Sequence, residues 1–163
     1  MTVQRVLYPD SVTEKCLRLE AAGGDLARAM ISIPASVQVG KAFAATVSLL
    51  DENAMPIIAG GECLRLALGD EAGIDVTFPQ GRSAVCRVEG FCQSAEGYFR
   101  LEGEIGGRTF VSNPSLAGDG ERPVVLWGDP HIHTTVGDCH PERCRTRNLA
   151  YAAARHAYGL DFV

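Results

Sequence analysis

The sequence lacks most of the short motifs that identify an enzyme directly. It has no Gly-x-Ser-x-Gly, P-loop or dinucleotide-binding fingerprint. Its 6 cysteines include no Cys-x-x-Cys pair, so we expect most of them to be small buried hydrophobic residues of a cytosolic protein. The single tryptophan is not part of a Cys…Trp…Cys arrangement, which disfavours an antibody-type domain.

Basic clusters and long apolar runs are also missing. The net charge of −5 and the pI near 5.3, without a Lys/Arg cluster, argue against a nucleic-acid-binding surface. No apolar run approaches the length needed to span a membrane, and residues 1–5 lack the apolar core of a signal peptide. We therefore expect a cytoplasmic protein with neither nucleic acid nor membrane as a partner.

Short alternating segments from Leu26 onwards indicate β-strands separated by glycine-rich turns. About seven such segments predict an antiparallel β-sandwich. The stretch Pro34-Ala35-Ser36-Val37, followed by Gly40-Lys41 and Phe43, resembles bacterial immunoglobulin-like repeats. An edge strand is also predicted within residues 3–8. The other predicted strands cover residues 27–33, 43–50, 62–68, 74–78, 83–92, 98–105 and 108–112.

A change of composition after the last of these strands predicts a domain boundary. Asn113-Pro114 ends the strand, because the residue before proline favours extended or turn conformations. Residues 116–123 contain Gly118-Asp119-Gly120 and have the composition of a linker. The sequence thus predicts a β-sandwich domain at 1–115, a linker at 116–123 and a second unit at 124–163.

Two histidines follow a short apolar run in the second unit. If residues 124–127 form a strand that continues past Trp127, His131 and His133 point to the same face and Ile132 to the other. Neutral imidazoles bind zinc, iron and manganese, so this pair would be half of a metal site. Asp138 would add an oxygen ligand. Asp129 and His140 are candidates for a supporting or additional ligand.

A helix is predicted between Glu142 and Tyr158, with Gly159 as the residue that ends it. Residues 160–163 read as the next strand, so the unit would be strand, helix and strand. His156 lies at the far end of this helix. We interpret it as a half-buried or surface histidine and not as a metal ligand.

Residues 128–134, Asp138 and the stretch Tyr158-Gly159-Leu160-Asp161-Phe162-Val163 resemble the opening of the PHP (polymerase and histidinol phosphatase) domain family. The resemblance implies a distorted (β/α) barrel with two or three divalent ions, zinc, manganese or iron, that hydrolyses phosphorylated small molecules. His131 and His133 match its first ligand pair and Asp138 its acidic position. Pro130 departs from the usual leucine, and the family's next motif, Thr-Asp-His, would follow Val163.

The resemblance predicts a mainly β chain: an immunoglobulin-like antiparallel sandwich followed by one βαβ unit that would open a (β/α) barrel. We expect it to be the first part of a metal-dependent phosphoesterase, to bind metal weakly by itself and to carry no catalytic residue. The alternative is a non-catalytic β-sandwich, acting as a binding or structural accessory module. Because one βαβ unit leaves apolar strands uncovered, we also expect it to dock on the sandwich or to mediate self-association.

Overall fold

The structure is a computed structural model that describes residues 4–18, 24–120, 125–136 and 146–163. Within these residues no helix is long and apolar enough to cross a membrane. The first helix is α1 (Ser11–Arg18), and α2 (Arg147–Ala152) continues into a π-helical segment (Ala153–Ala157); together these last two are called the C-terminal helix. The strands are β1 (Arg5–Leu7), β2 (Arg28–Ser32), β3 (Ser36–Gln38), β4 (Ala42–Leu50), β5 (Cys63–Leu68), β6 (Ile74–Thr77), β7 (Val85–Cys92), β8 (Gly97–Phe99), β9 (Leu101–Ile105), β10 (Arg108–Val111) and β11 (Ser115–Gly118).

Two four-stranded antiparallel sheets carry most of these strands. The first sheet has the order β1-β7-β4-β2 and the second has the order β10-β9-β5-β6. Strand β1 lies at an edge, where it pairs only with β7 among the described residues. The predicted mainly β, sandwich-type fold is confirmed in this coarse form.

The hydrophobic core lies between the two sheets and follows the alternation of the strands. Phe43, Ala45, Val47 and Leu49 of β4 point inward and are buried. Their partners on the second sheet include Leu64 and Leu66 of β5, both fully buried. Each of the valine, leucine and phenylalanine side chains stabilises the fold by about 1.5–3 kcal/mol through removal of its apolar surface from water.

A third sheet of three short strands, in the order β3-β11-β8, adjoins the sandwich. Strand β11 runs parallel to β3, and it occupies residues at which the sequence predicted a linker. The side-chain amide of Asn113 fixes the bend before it. Its Oδ1 accepts from the Ile33 N–H at 2.8 Å and its Nδ2 donates to the Ile33 carbonyl at 2.8 Å. Asn113 thus replaces a pair of backbone hydrogen bonds at this corner.

Helix α1 was not predicted from the sequence. In the structure Asp10 caps the helix, and its Oδ1 accepts from the Thr13 N–H at 2.8 Å. Leu17 is fully buried, while half of the helix residues are exposed. A helix of 8 residues is shorter than the stretch over which helical periodicity is recognised in a sequence.

The predicted strands at 124–127 and 160–163 are wrong. The structure has a single parallel bridge between Gly128 and Phe162 in their place, and Val124 lies outside the described residues. Val125 and Leu126 are 54% and 56% exposed. A pair of segments without neighbouring strands on either side cannot bury both faces, so it does not extend into a sheet. No βαβ unit that opens a barrel is seen in the described residues.

Glu14 connects α1 to the sandwich. Its side chain is 9% exposed, and its Oε1 accepts from the Ser83 N–H at 2.7 Å. Arg82 lies 3.7 Å from the other carboxylate oxygen and donates to the Pro9 carbonyl at 2.6 Å. This buried carboxylate therefore satisfies the backbone N–H of Ser83.

We predict that Glu14→Ala lowers the free energy of unfolding by about 1–3 kcal/mol, because it leaves the buried Ser83 N–H without an acceptor. Urea denaturation followed by circular dichroism measures this change. The matched control is Glu96→Ala, since Glu96 is exposed and its loss should change stability by less than about 0.5 kcal/mol. Equal effects of the two substitutions would show that Glu14 does not anchor α1.

Candidate functional site

His131 and His133 lie side by side on the surface, as the spacing predicts. Their Nε2 atoms are 2.9 Å apart, and their rings are edge to face with centroids 4.7 Å apart. Asp129 shapes the backbone before them, because its Oδ1 accepts from the His131 N–H at 2.9 Å. The carboxylate thus caps the turn that holds the first imidazole.

Ile132 points the opposite way, into an apolar cavity of about 190 Å³ beneath the C-terminal helix. Leu149, Ala153 and Leu160 line the same cavity. The half-buried isoleucine anchors the segment from below, while the two histidines stay exposed above it. Local alternation was therefore predicted correctly although the surrounding strand is absent.

The two imidazoles are in hydrogen-bonding contact. At 2.9 Å one Nε2 donates and the other accepts. Alternatively, both lone pairs can point to one cation. The pair has the donor chemistry of half a zinc, manganese or iron site.

The remaining predicted ligands, Asp138 and His140, lie outside the described residues. Among the residues that the structure places, no group of three His, Cys, Asp or Glu side chains could hold a metal. The structure thus brings together His131 and His133 with Asp129 beneath them. The full ligand set stays a prediction.

The C-terminal helix, which leads back to this pair, docks on the outer face of the first sheet. The Ser48 hydroxyl donates to the Ala157 carbonyl at 2.7 Å, and the Ser32 hydroxyl donates to the Tyr158 carbonyl at 2.8 Å. Gly159 has φ of 66°, and its predicted role as the residue that ends the helix is confirmed. A small apolar cluster completes the contact: Leu17, Met55, Val85, Leu149, Ala153 and Ala157.

Sequence reasoning missed a second site, a cleft of about 570 Å³ between α1, the first sheet and the C-terminal helix. Asp10 and His156 both line it, although they stand near opposite ends of the chain. His156 is half-buried, as predicted. No local pattern relates these two positions, because only the docking of the helix brings them together.

The charges in this cleft influence each other. Burial and the neighbouring Arg155 lower the pKa of His156, and Asp10 opposes them. Hydrogen bonds from Thr13 lower the pKa of Asp10, and His156 contributes in the same direction. The carboxylate is therefore the stable form of Asp10, and the fold favours the neutral imidazole of His156.

Comparisons with known proteins find similarity in solved structures alone. No protein-family model matches the chain, and no curated protein matches it either.

Domains 4 and 5 of the S-layer protein SbsC are 16% identical, with a TM-score of 0.39, over 57% of this chain and 52% of that structure. The CARDB domain of a Pyrococcus furiosus protein, described in complex with di-metal ions, is 13% identical, with a TM-score of 0.37, over 62% of this chain and 97% of that one. The PKD domain of an M14-like peptidase from a Thermoplasmatales archaeon is 13% identical, with a TM-score of 0.32, over 54% of this chain and 86% of that domain.

These comparisons correct the interpretation as a PHP domain. No PHP family model matches, and the similar structures named above are S-layer, CARDB and PKD domains of the β-sandwich type. The assignment to a metal-dependent phosphoesterase family was therefore wrong, and only its β-sandwich part is supported. The chain spans about half the length of the S-layer structure, and TM-scores this low carry no argument about function.

We predict that the stability of the protein falls as the pH drops below 6.5, the ordinary pKa of the His156 imidazole. The pKa of His156 is lowered in the folded state, so the unfolded chain takes up the proton first and stability is lost as pH falls towards the folded pKa. Urea denaturation at several pH values should give a smaller decrease for His156→Gln. His131→Gln is the control and should keep the slope attributed to His156; an unchanged slope in His156→Gln would contradict the assignment.

Proposed function

We propose that this chain is a non-catalytic β-sandwich module with a structural accessory role. In this role the sandwich holds the C-terminal helix on the outer face of its first sheet. It thereby presents the His131–His133 pair at the surface in a fixed position. The proposal concerns the described residues and assigns them no reaction.

The observation that carries this proposal is the buried hydroxyl of Ser48. Its side chain lies on the outer face of β4 and is fully buried, so it needs a partner within the protein. The Ala157 carbonyl supplies it at 2.7 Å. This carbonyl belongs to the last turn of a helix, where carbonyl groups have no partner within the helix itself. The hydroxyl and the carbonyl thus satisfy each other, and this hydrogen bond fixes the end of the helix on the surface of the sheet.

A short series of contacts connects the docked helix to the histidines. Leu160 N–H donates to the Ala154 carbonyl at 2.9 Å, which turns the chain back after Gly159. Asp161 N–H then donates to the Trp127 carbonyl at 2.7 Å, and Asp129 N–H donates to the Phe162 carbonyl at 3.2 Å. The position of the histidine pair therefore depends on where the sandwich holds the helix.

We predict that Gly159→Ala releases the C-terminal helix from the sheet. A Cβ at this position would lie 2.8 Å from the Ser32 Cβ and 3.2 Å from the Thr46 Cβ, at a φ of +66° that alanine rarely adopts. Hydrogen–deuterium exchange followed by mass spectrometry should show at least about tenfold faster exchange for residues 147–160, with β4 and β5 still protected.

Gly107→Ala is the matched control for this experiment. Gly107 has a similar φ of +75°, but a Cβ there would meet no atom within 4 Å, so it adds backbone strain without a clash. Protection of the helix should stay unchanged in this variant. Rapid exchange of residues 147–160 in the unmodified protein, or equal effects of both substitutions, would contradict the accessory role.

A second candidate function is divalent metal binding at the histidine pair. The 2.9 Å separation of the two Nε2 atoms favours it, since both lone pairs can reach one ion at the usual ligand distance of about 2.0–2.1 Å. His131 and His133 would hold the ion, and Asp129 would keep the first ring aimed. A bound ion would supply a positive charge at the surface, to which a further ligand could coordinate.

We expect zinc, manganese or iron to remain with the purified protein after mild dialysis and to be lost in the His131→Ala/His133→Ala double variant. Elemental analysis measures the metal content per chain. His156→Ala is the control, because this histidine lies in a different part of the structure. Metal that persists in the double variant, or that is absent from all three proteins, would exclude binding at the pair.

A further inference from the structure

The cleft between α1, the first sheet and the C-terminal helix has the size of a small-molecule site. Its volume is about 570 Å³, within the range of ligand pockets. Leu7 provides apolar surface, and the hydroxyl-bearing residues Thr13 and Thr46 provide polar surface. A ligand with a small apolar body and a polar end would match this lining.

The charged residues of this cleft are mostly cationic, although the chain as a whole carries a net charge of −5. The cations Arg87 and Arg155 line it beside the imidazole of His156, and Asp10 is its one acidic residue. The Asp10 carboxylate already accepts the Thr13 N–H at 2.8 Å as the cap of α1. The negative charge of Asp10 is therefore directed in part to the N-terminus of α1, and not only to the cations of the cleft.

The two arginine side chains of the cleft have few partners within the protein. Arg155 has no hydrogen-bond or ion-pair partner among the described residues and is exposed. Arg87 makes one ion pair, to Glu89 at 3.6 Å, and its side chain stays 58% exposed. Two guanidinium groups and an imidazole thus border one concave surface, and guanidinium groups pair readily with carboxylate or phosphate oxygens.

We propose that this cleft binds a small organic anion, held through its carboxylate or phosphate oxygens by Arg155, Arg87 and His156. The apolar part of the ligand lies over Leu7 at the edge of the first sheet. The site is separate from the His131–His133 pair. It needs the C-terminal helix to be docked, because Arg155 and His156 reach the cleft from that helix.

The test is an NMR titration of the full chain with sodium phosphate and, separately, with sodium succinate, at constant pH and ionic strength. We expect saturable shifts confined to the amides around Thr13 and Arg155 and to the His156 ring. Bound anion should also raise the pKa of His156, because a nearby negative charge favours the imidazolium form and opposes the effects of burial and Arg155. Asp10, Tyr8 and Cys86 also face this cleft, so the titration is read on the imidazole resonances.

Arg155→Gln should weaken binding roughly tenfold, the change expected from the loss of one charge-assisted hydrogen bond. Arg65→Gln is the matched control and should leave the affinity unchanged. Arg65 lies on β5 of the second sheet and pairs with Asp75 at 3.5 Å on an exposed surface. His156→Gln, a second substitution in the cleft, should reduce the pH dependence of binding to that of the anion's own ionisation and checks the site independently of Arg155.

The two probes identify the ligand class. Saturation by phosphate alone assigns a phosphate-bearing ligand, saturation by succinate alone assigns a carboxylate, and saturation by both assigns a general oxyanion site. Shifts that do not saturate, shifts spread over the whole surface, or equal weakening by Arg155→Gln and Arg65→Gln would overturn the proposal. None of these outcomes depends on metal at His131 and His133.

Discussion

The buried hydroxyl of Ser48 is the constraint on which the position of the C-terminal helix depends. A hydroxyl in an apolar layer costs free energy unless it is hydrogen-bonded, and the Ala157 carbonyl at 2.7 Å is its partner. A leucine or valine at this position would bury more apolar surface, but it would leave the end of the helix without a donor. The serine therefore contributes specificity, because it accepts one helix end in one position. Ser32 repeats this arrangement with the Tyr158 carbonyl.

The predictable part of the fold was the part with strong local alternation. Strands β4 and β5 alternate between core and outer face along their length, and this pattern is legible in the sequence. Strand β11 was missed because its formation depends on parallel pairing with distant β3. Helix α1 was missed because Leu17 is its single fully buried apolar residue. Long-range pairing and short helices leave little local signal.

In the histidine segment, the predicted directions of the side chains were correct, but the family suggested by the same residues was not. Spacing alone placed His131 and His133 on one face and Ile132 on the other, and the structure has this arrangement. The same residues also suggested a family, and that assignment was wrong. Alternation is a property of any extended backbone, whereas a family assignment from a few short motifs requires that the rest of the fold agree. The cleft of Asp10, Arg155 and His156 could not be predicted, because it forms only where two helices meet the sheet.

The hydrogen bond from Ser48 to Ala157 joins residues 109 positions apart, which has a consequence for synthesis of the chain. The strands are translated before the C-terminal helix, so the two sheets can pair while the outer face of the first sheet is still uncovered. During that interval Met55 and Val85, later buried against the helix, face water or a chaperone. Since domains fold as the chain emerges at about 5–20 residues per second, this interval lasts for several seconds. The late arrival of residues 147–159 therefore leaves Met55 and Val85 uncovered, and prone to intermolecular contact, until the helix has been made.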